Sequence, residues 1–123
     1  MRVPATVADQ ILDQVRPMLN AGVQLTRSGG HGVSAETTSH EVYGFVQSPW
    51  PFPPGPKRFR IKSALVDFTD SLCDLLSDAT KRDWPGSDRA ITVTTSRHRA
   101  SISVTSTGAT LVLDVDTAQW ESS

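Results

Sequence analysis

The apolar positions of the chain fall into two helical stripes and a series of alternating runs. Val7, Ile11, Leu12, Val15, Met18 and Leu19 recur at three- and four-residue spacing, which predicts a first helix opening near Thr6. Thr6 is a capping residue type, and Asp9 three positions on approximates a capping box. Pro17 removes a backbone donor and clashes one turn back, so this helix should kink or end early. Gly22 is a further stop. The second stripe is the stronger: Ile61, Ala64, Leu65, Phe68, Leu72, Leu75, Leu76 and Ala79 follow one another at about 100° per residue. Ser63 is its expected cap. Lys81 and Arg82 complement the dipole at its end, and Trp84-Pro85-Gly86 terminates it.

Strands read as period-two alternation. Val23 and Leu25 alternate in VQLTR, and the glycine-rich SGGHG follows as a turn. A strand is expected over Glu41–Gln47, with Val42 and Val46 on one side and Tyr43 and Phe45 on the other; residues 33–40 either extend it or form a loop. ITVTTS, ASISVTS and ATLVLDV (91–96, 100–106 and 109–115) are joined by connections so short that they must form an antiparallel meander. Ile91, Val93, Ile102, Val104, Leu111 and Leu113 then face inward, with Thr92, Thr94, Ser101, Ser103, Thr105, Thr110 and Val112 outward. The expected order is α-β-β-α-β-β-β in one α+β domain, residues 1–123. The expected packing is an antiparallel sheet of about five strands with two helices on one face.

Charge and cysteine usage narrow the classes. Twelve basic and thirteen acidic residues give a net charge of −1, which argues against direct binding to nucleic acid, where phosphate contacts call for a basic excess. Cys73 is the sole cysteine, so no internal disulfide forms, as suits a reducing compartment. Asp9 and Asp13 interrupt the apolar positions near the start, and no run reaches the roughly 18 apolar residues of a membrane span. A cytoplasmic location, without membrane association, is the expectation.

Reactive constellations do not emerge. His31, His40 and His98 lack the spacing of metal ligands. Cys73 stands beside Asp74, and a neighbouring carboxylate and partial burial both raise a thiol pKa. No G-x-S-x-G elbow surrounds any serine. Asp114 and Asp116 share a strand face but read as a solvated pair. SGGHG lacks the lysine and Ser/Thr of a phosphate-binding loop. The chain is therefore expected to be neither an enzyme nor a holder of a metal or cofactor.

Surface patterns point instead to a partner. Asp67, Asp70, Asp74 and Asp78 lie within an arc of about 80° on the second helix, away from its apolar stripe. Like charges one turn apart repel by a few tenths of a kcal/mol per pair, so the pattern invites a basic partner surface or a solvated face. Lys57, Arg58, Arg60 and Lys62 crowd the approach to this helix and read as a solvated basic segment. The segment SPWPFPPGPKRF (48–59) has polyproline spacing. It reads as a stiff strap between a strand and a helix, in which Trp50, Phe52 and Phe59 cover the core; left exposed, Trp50 and Phe52 would be anchors for a partner.

The second half of the chain, with the amphipathic helix IKSALVDFTDSLCDLLSDATKRD, Trp84 at its exit and the strands ITVTTSRHRASISVT, resembles small α+β immunity proteins of bacterial polymorphic toxin systems. The resemblance implies a non-catalytic protein that binds and occludes a cognate protein toxin, often a basic nuclease. It carries over no catalytic residue. Two alternatives stand beside it: a small α+β domain enclosing a ligand pocket, and a secretion-chaperone-like dimeric scaffold. The chain itself could act as monomer or dimer.

Overall fold

A computed structural model describes residues 2–19, 22–47, 55–107 and 109–122. Helix α1 (Ala5–Val15) buries Val7, Ala8, Ile11, Leu12 and Val15. It gives way to a 3-10 turn, Arg16–Met18, at Pro17, the early end expected of a proline that cannot donate to the preceding turn. Pro4, not Thr6, occupies the N-cap position, and no side chain caps the helix. Strands β1 (Val23–Ser28), β2 (Gly32–Thr37) and β3 (Val42–Val46) follow, then helix α2 (Lys57–Thr80). The chain continues through β4 (Ala90–Ser96), β5 (Arg99–Ser106) and β6 (Ala109–Asp116) to a short helix α3 (Ala118–Ser122).

The architecture is α+β and antiparallel, but the strands form two three-stranded sheets, β1-β2-β3 and β4-β5-β6. Two departures from the expected single five-stranded sheet with two helices explain this. Residues 32–37 form a strand of their own, pairing with β1 on one side and β3 on the other. Helix α2 packs against β2, β3 and β4 together, so β3 and β4 flank it as edges and do not pair. Helix α1 packs against β1 and β6. A third helix, α3, buries Trp120.

One contiguous core joins both sheets and α1, α2 and α3. All eight stripe residues of α2 are buried, and Thr69 and Cys73 with them. Phe45 of β3 meets Phe68 of α2 edge-on, with ring centroids 5.6 Å apart, a favourable quadrupole arrangement. Helix α2 starts six residues before Ser63, following Pro56, whose fixed φ is already suited to a helix entrance. Its end is set by Lys81 in the left-handed conformation, φ 57°. The β4–β6 meander has the expected inward and outward faces: Val93, Ile102, Val104, Leu111 and Leu113 are buried and Ile91 partly so, whereas Val112 is exposed on the hydroxyl-rich side. The strap contacts expected of Trp50 and Phe52 lie outside the described residues, whereas Phe59, expected to cover the core with them, lies in the first turn of α2 and is 48% exposed.

Glutamine amides close two chain edges. Gln10 accepts the Asp116 N–H (2.7 Å) and donates to its carbonyl (3.2 Å). Gln14 does the same with Asp114, at 3.0 and 2.6 Å. Four helix residues rise about 6 Å and two strand residues about 6.8 Å, so consecutive turns of α1 match consecutive outward positions of β6. Gln47 forms a third such ring with Val3, at 2.7 and 3.1 Å.

Candidate functional site

The acidic residues of α2 are all exposed, as their distance from the apolar stripe requires. They are not alike. Arg89, on the approach to β4, reaches back over α2 and binds two of them. Its Nε and Nη2 donate to Asp70 Oδ1 at 3.0 and 2.9 Å, and Nη2 donates to Asp74 Oδ1 at 2.6 Å. It also donates to the carbonyls of Asp70 and Gly86, each at 3.2 Å. The Arg89 side chain is 10% exposed while those of Asp70 and Asp74 remain 57% and 67% exposed. The guanidinium is thus packed inward and the carboxylate faces stay in water. Burial alone would lower the Arg89 pKa, but its bonds to Asp74 and Asp70 outweigh that and raise it.

Asp67 and Asp78 have no ion pair among the described residues. Four carboxylates against one guanidinium leave the face at a formal −3. Asp74 and Asp78 line an open groove of about 210 Å³ with Ser71 and Leu75 of α2 and with Tyr43, Gly44 and Phe45 of β3. At one end of the groove Lys81 leaves the helix, lies 4.8 Å over the Tyr43 ring and donates to Glu41 at 3.0 Å. It also donates to the Tyr43 hydroxyl, which in turn donates to Glu41. The hydrogen bond from Tyr43, then Lys81, lowers the Glu41 pKa; Tyr43 and Glu41 raise that of Lys81. These contacts fix the left-handed residue that ends α2 against the start of β3.

The backbone of β3 defines the other wall. Thr37 N–H donates to the Glu41 carbonyl and Gln47 N–H to the His31 carbonyl, both at 2.9 Å, so these are bonded pairs in the β2–β3 ladder. Antiparallel ladders alternate bonded and non-bonded pairs. By the observed register, Tyr43 and Phe45 bond to β2, while the N–H and C=O of Val42, Gly44 and Val46 point away from it. Gly44 keeps the strand thin here: a Cβ would come within 3.0 Å of the Val33 carbonyl oxygen.

Other expected features have local explanations. Burial pushes the Cys73 thiol up to about 11, with Asp70 and Asp74 adding to the shift and Arg89 opposing it. His98 stands 3.3 Å from Glu121 and His40 3.5 Å from Glu36. Among the described residues no group of three or more His, Cys, Asp or Glu side chains is placed to hold a metal, and no helix is long and apolar enough to cross a membrane. Asp116 accepts the Ala118 N–H at the start of α3 (2.9 Å). The basic residues expected on the approach to α2 lie within its first two turns: Lys57 donates to the Glu121 carbonyl at 3.0 Å, whereas Arg58, Arg60 and Lys62 are exposed.

Sequence spacing located the acidic face but missed Arg89, a lone cation 15 and 19 residues from its partners. It also missed the open backbone of β3, whose only local signal was Gly44 between two exposed valines. No protein-family model, curated protein or solved structure matches the chain.

Proposed function

We propose that this chain is a non-catalytic binding protein of the immunity type, which occupies and occludes a cognate basic protein, and that the α2 face is its contact surface. One observation carries the reading: four exposed carboxylates stand in a row and a single arginine compensates only part of their charge. Arg89 lowers the repulsion within the row and holds two carboxylates in fixed orientation. Less side-chain freedom is then lost when a cationic surface docks. A field of one sign also steers the encounter with an oppositely charged partner.

The test begins with a partner isolated by affinity capture and identified against the neighbouring genes. The informative variant is Asp67→Asn with Asp78→Asn, because neither residue supports Arg89. Association should slow severalfold at low salt, and the difference should shrink as the screening length falls to about 8 Å near physiological ionic strength. Equal rates for variant and wild type at low salt would remove the acidic face from the interface. A dimeric scaffold is the second reading, favoured by the exposed Val42 and Val46 on an edge strand. Sedimentation equilibrium separates the two, since a scaffold self-associates without any partner.

A further inference from the structure

The described sheets have four edges, and they are not equally protected. On β6 the outward backbone groups of Asp114 and Asp116 are taken by Gln14 and Gln10. On β1 the Leu25 carbonyl accepts Arg16 Nε at 3.0 Å, and Arg27 is paired with Asp9 at 2.7 Å. On β3 no described residue bonds the outward groups of Val42, Gly44 or Val46. The strand itself, VYGFV, holds no charge, proline or lysine. Proteins ordinarily blunt such an edge with one of these, because three unpaired donors and acceptors in a row template another strand. Val42 and Val46 are 65% and 76% exposed beside them. β4 also ends a sheet, but the acidic groove lies along β3.

We propose that the β3 edge accepts an extended cationic segment of a partner as a fourth strand, whose basic side chains meet Asp74 and Asp78 across the groove. The proposal rests on the reading of this face as a binding surface and names the form that the partner takes. Main-chain pairing supplies the affinity in this mode and alternate side chains supply the selection. Successive side chains of an added strand point to opposite faces, so every second one lies over α2. There the groove offers carboxylates, which select lysine or arginine at those positions. Val42 and Val46 alone would suit a second copy of this chain as well, but pairing β3 with β3 about a two-fold axis would bring Asp74 and Asp78 of both copies together, and that repulsion disfavours it as occupant.

The probe is a capped peptide of about seven residues alternating lysine and valine, matched in length to an ordinary strand, compared with its glutamate–valine counterpart. Amide hydrogen exchange of the isotopically labelled protein reads the outcome residue by residue. With the lysine peptide at about ten times its Kd, exchange at the amides of Val42, Gly44 and Val46 should slow about tenfold. Tyr43 and Phe45, already bonded to β2, should change little. The glutamate peptide should give no protection at equal concentration. Val46→Pro removes one outward donor, leaves the β2 bonds intact and should weaken binding. Asp78→Lys should weaken it through charge; should the proline variant not fold, this variant and the wild-type exchange pattern still decide.

Protection without alternation, protection at other strands, or equal binding of both peptides would overturn the proposal. So would concentration-dependent protection of β3 in the absence of peptide, which would identify a second copy as the occupant. If neither peptide binds while the captured partner still depends on Asp67 and Asp78, strand addition is wrong and the binding surface stands.

Discussion

Replacing Arg89 by alanine should move stability and binding in opposite directions. The substitution removes three bonds to carboxylates and two to backbone carbonyls. A fully desolvated charge-assisted bond contributes about 1.5–3 kcal/mol. Asp70 and Asp74 are more than half exposed, however, and water replaces the lost donor, so each carboxylate attachment is nearer the 0.5–1 kcal/mol of a surface pair. The two carbonyl bonds add about 0.5 kcal/mol each at the low end of the neutral range. The expected loss is about 2–3 kcal/mol, read from the shift in urea midpoint at unchanged slope. Meanwhile the face goes from a formal −3 to −4. Association of the lysine–valine peptide, followed by stopped flow at low salt, should accelerate, and the gain should vanish near 1 M salt, where the screening length is about 3 Å. A stability loss under about 0.5 kcal/mol, the surface range, would mean that Arg89 anchors nothing. Slower association would mean that orientation of Asp70 and Asp74 outweighs net charge, and the electrostatic reasoning would fail.

Phe68→Ala removes a ring buried against Phe45 and should cost about 3–5 kcal/mol in denaturant melts; a cost below 1 would contradict its place in the core. Gln10→Ala with Gln14→Ala breaks four exposed bonds to β6 at about 0.5 kcal/mol each, so a combined loss of about 2 kcal/mol is expected, with Asp114 and Asp116 amides exchanging faster. Cys73, buried and raised to about 11, should resist iodoacetamide at pH 8 until denaturant unfolds the chain; alkylation at the rate of a free thiol would refute its burial. Asp88 is held low by the Thr107 hydroxyl and the Thr107 N–H. Its contribution is therefore present above the ordinary aspartate pKa of about 3.9 and lost as pH falls through the lower folded value. Asp88→Asn should flatten the acid limb of the stability curve, and an unchanged limb would show that the bond does not form.

The legible parts of the fold were those whose signal is local. The stripe of α2 and the β4–β6 meander repeat within windows of a few residues, and Pro17 marks the end of α1 by its own chemistry. Strand β2 was harder to see because Gly32, Ser34 and Glu36 alternate with Val33 and Ala35, small residues that could equally line a loop. The separation of the sheets has no local sign: it follows from α2 lying against both β3 and β4. Its true start, at Lys57, precedes the first stripe residue and is set by Pro56. The candidate site divides the same way. The aspartate spacing was visible, whereas Arg89 and the outward groups of β3 depend on register and on contacts between distant segments.

The glutamine rings have a consequence for how the protein is made. Gln10 and Gln14 meet Asp116 and Asp114 at sequence separations of 106 and 100 residues. At a synthesis rate of roughly 5–20 residues per second, about 5–20 s pass between the emergence of α1 and that of its strand partner. Throughout that interval the helix lacks β6, the Val7–Ile11–Leu12–Val15 face is only partly covered, and chaperones that hold apolar segments have time to bind. Slow codons anywhere between the two segments extend this window and fast ones shorten it. Yield in a cell should therefore respond to synonymous changes in that stretch, even though no amino acid is altered.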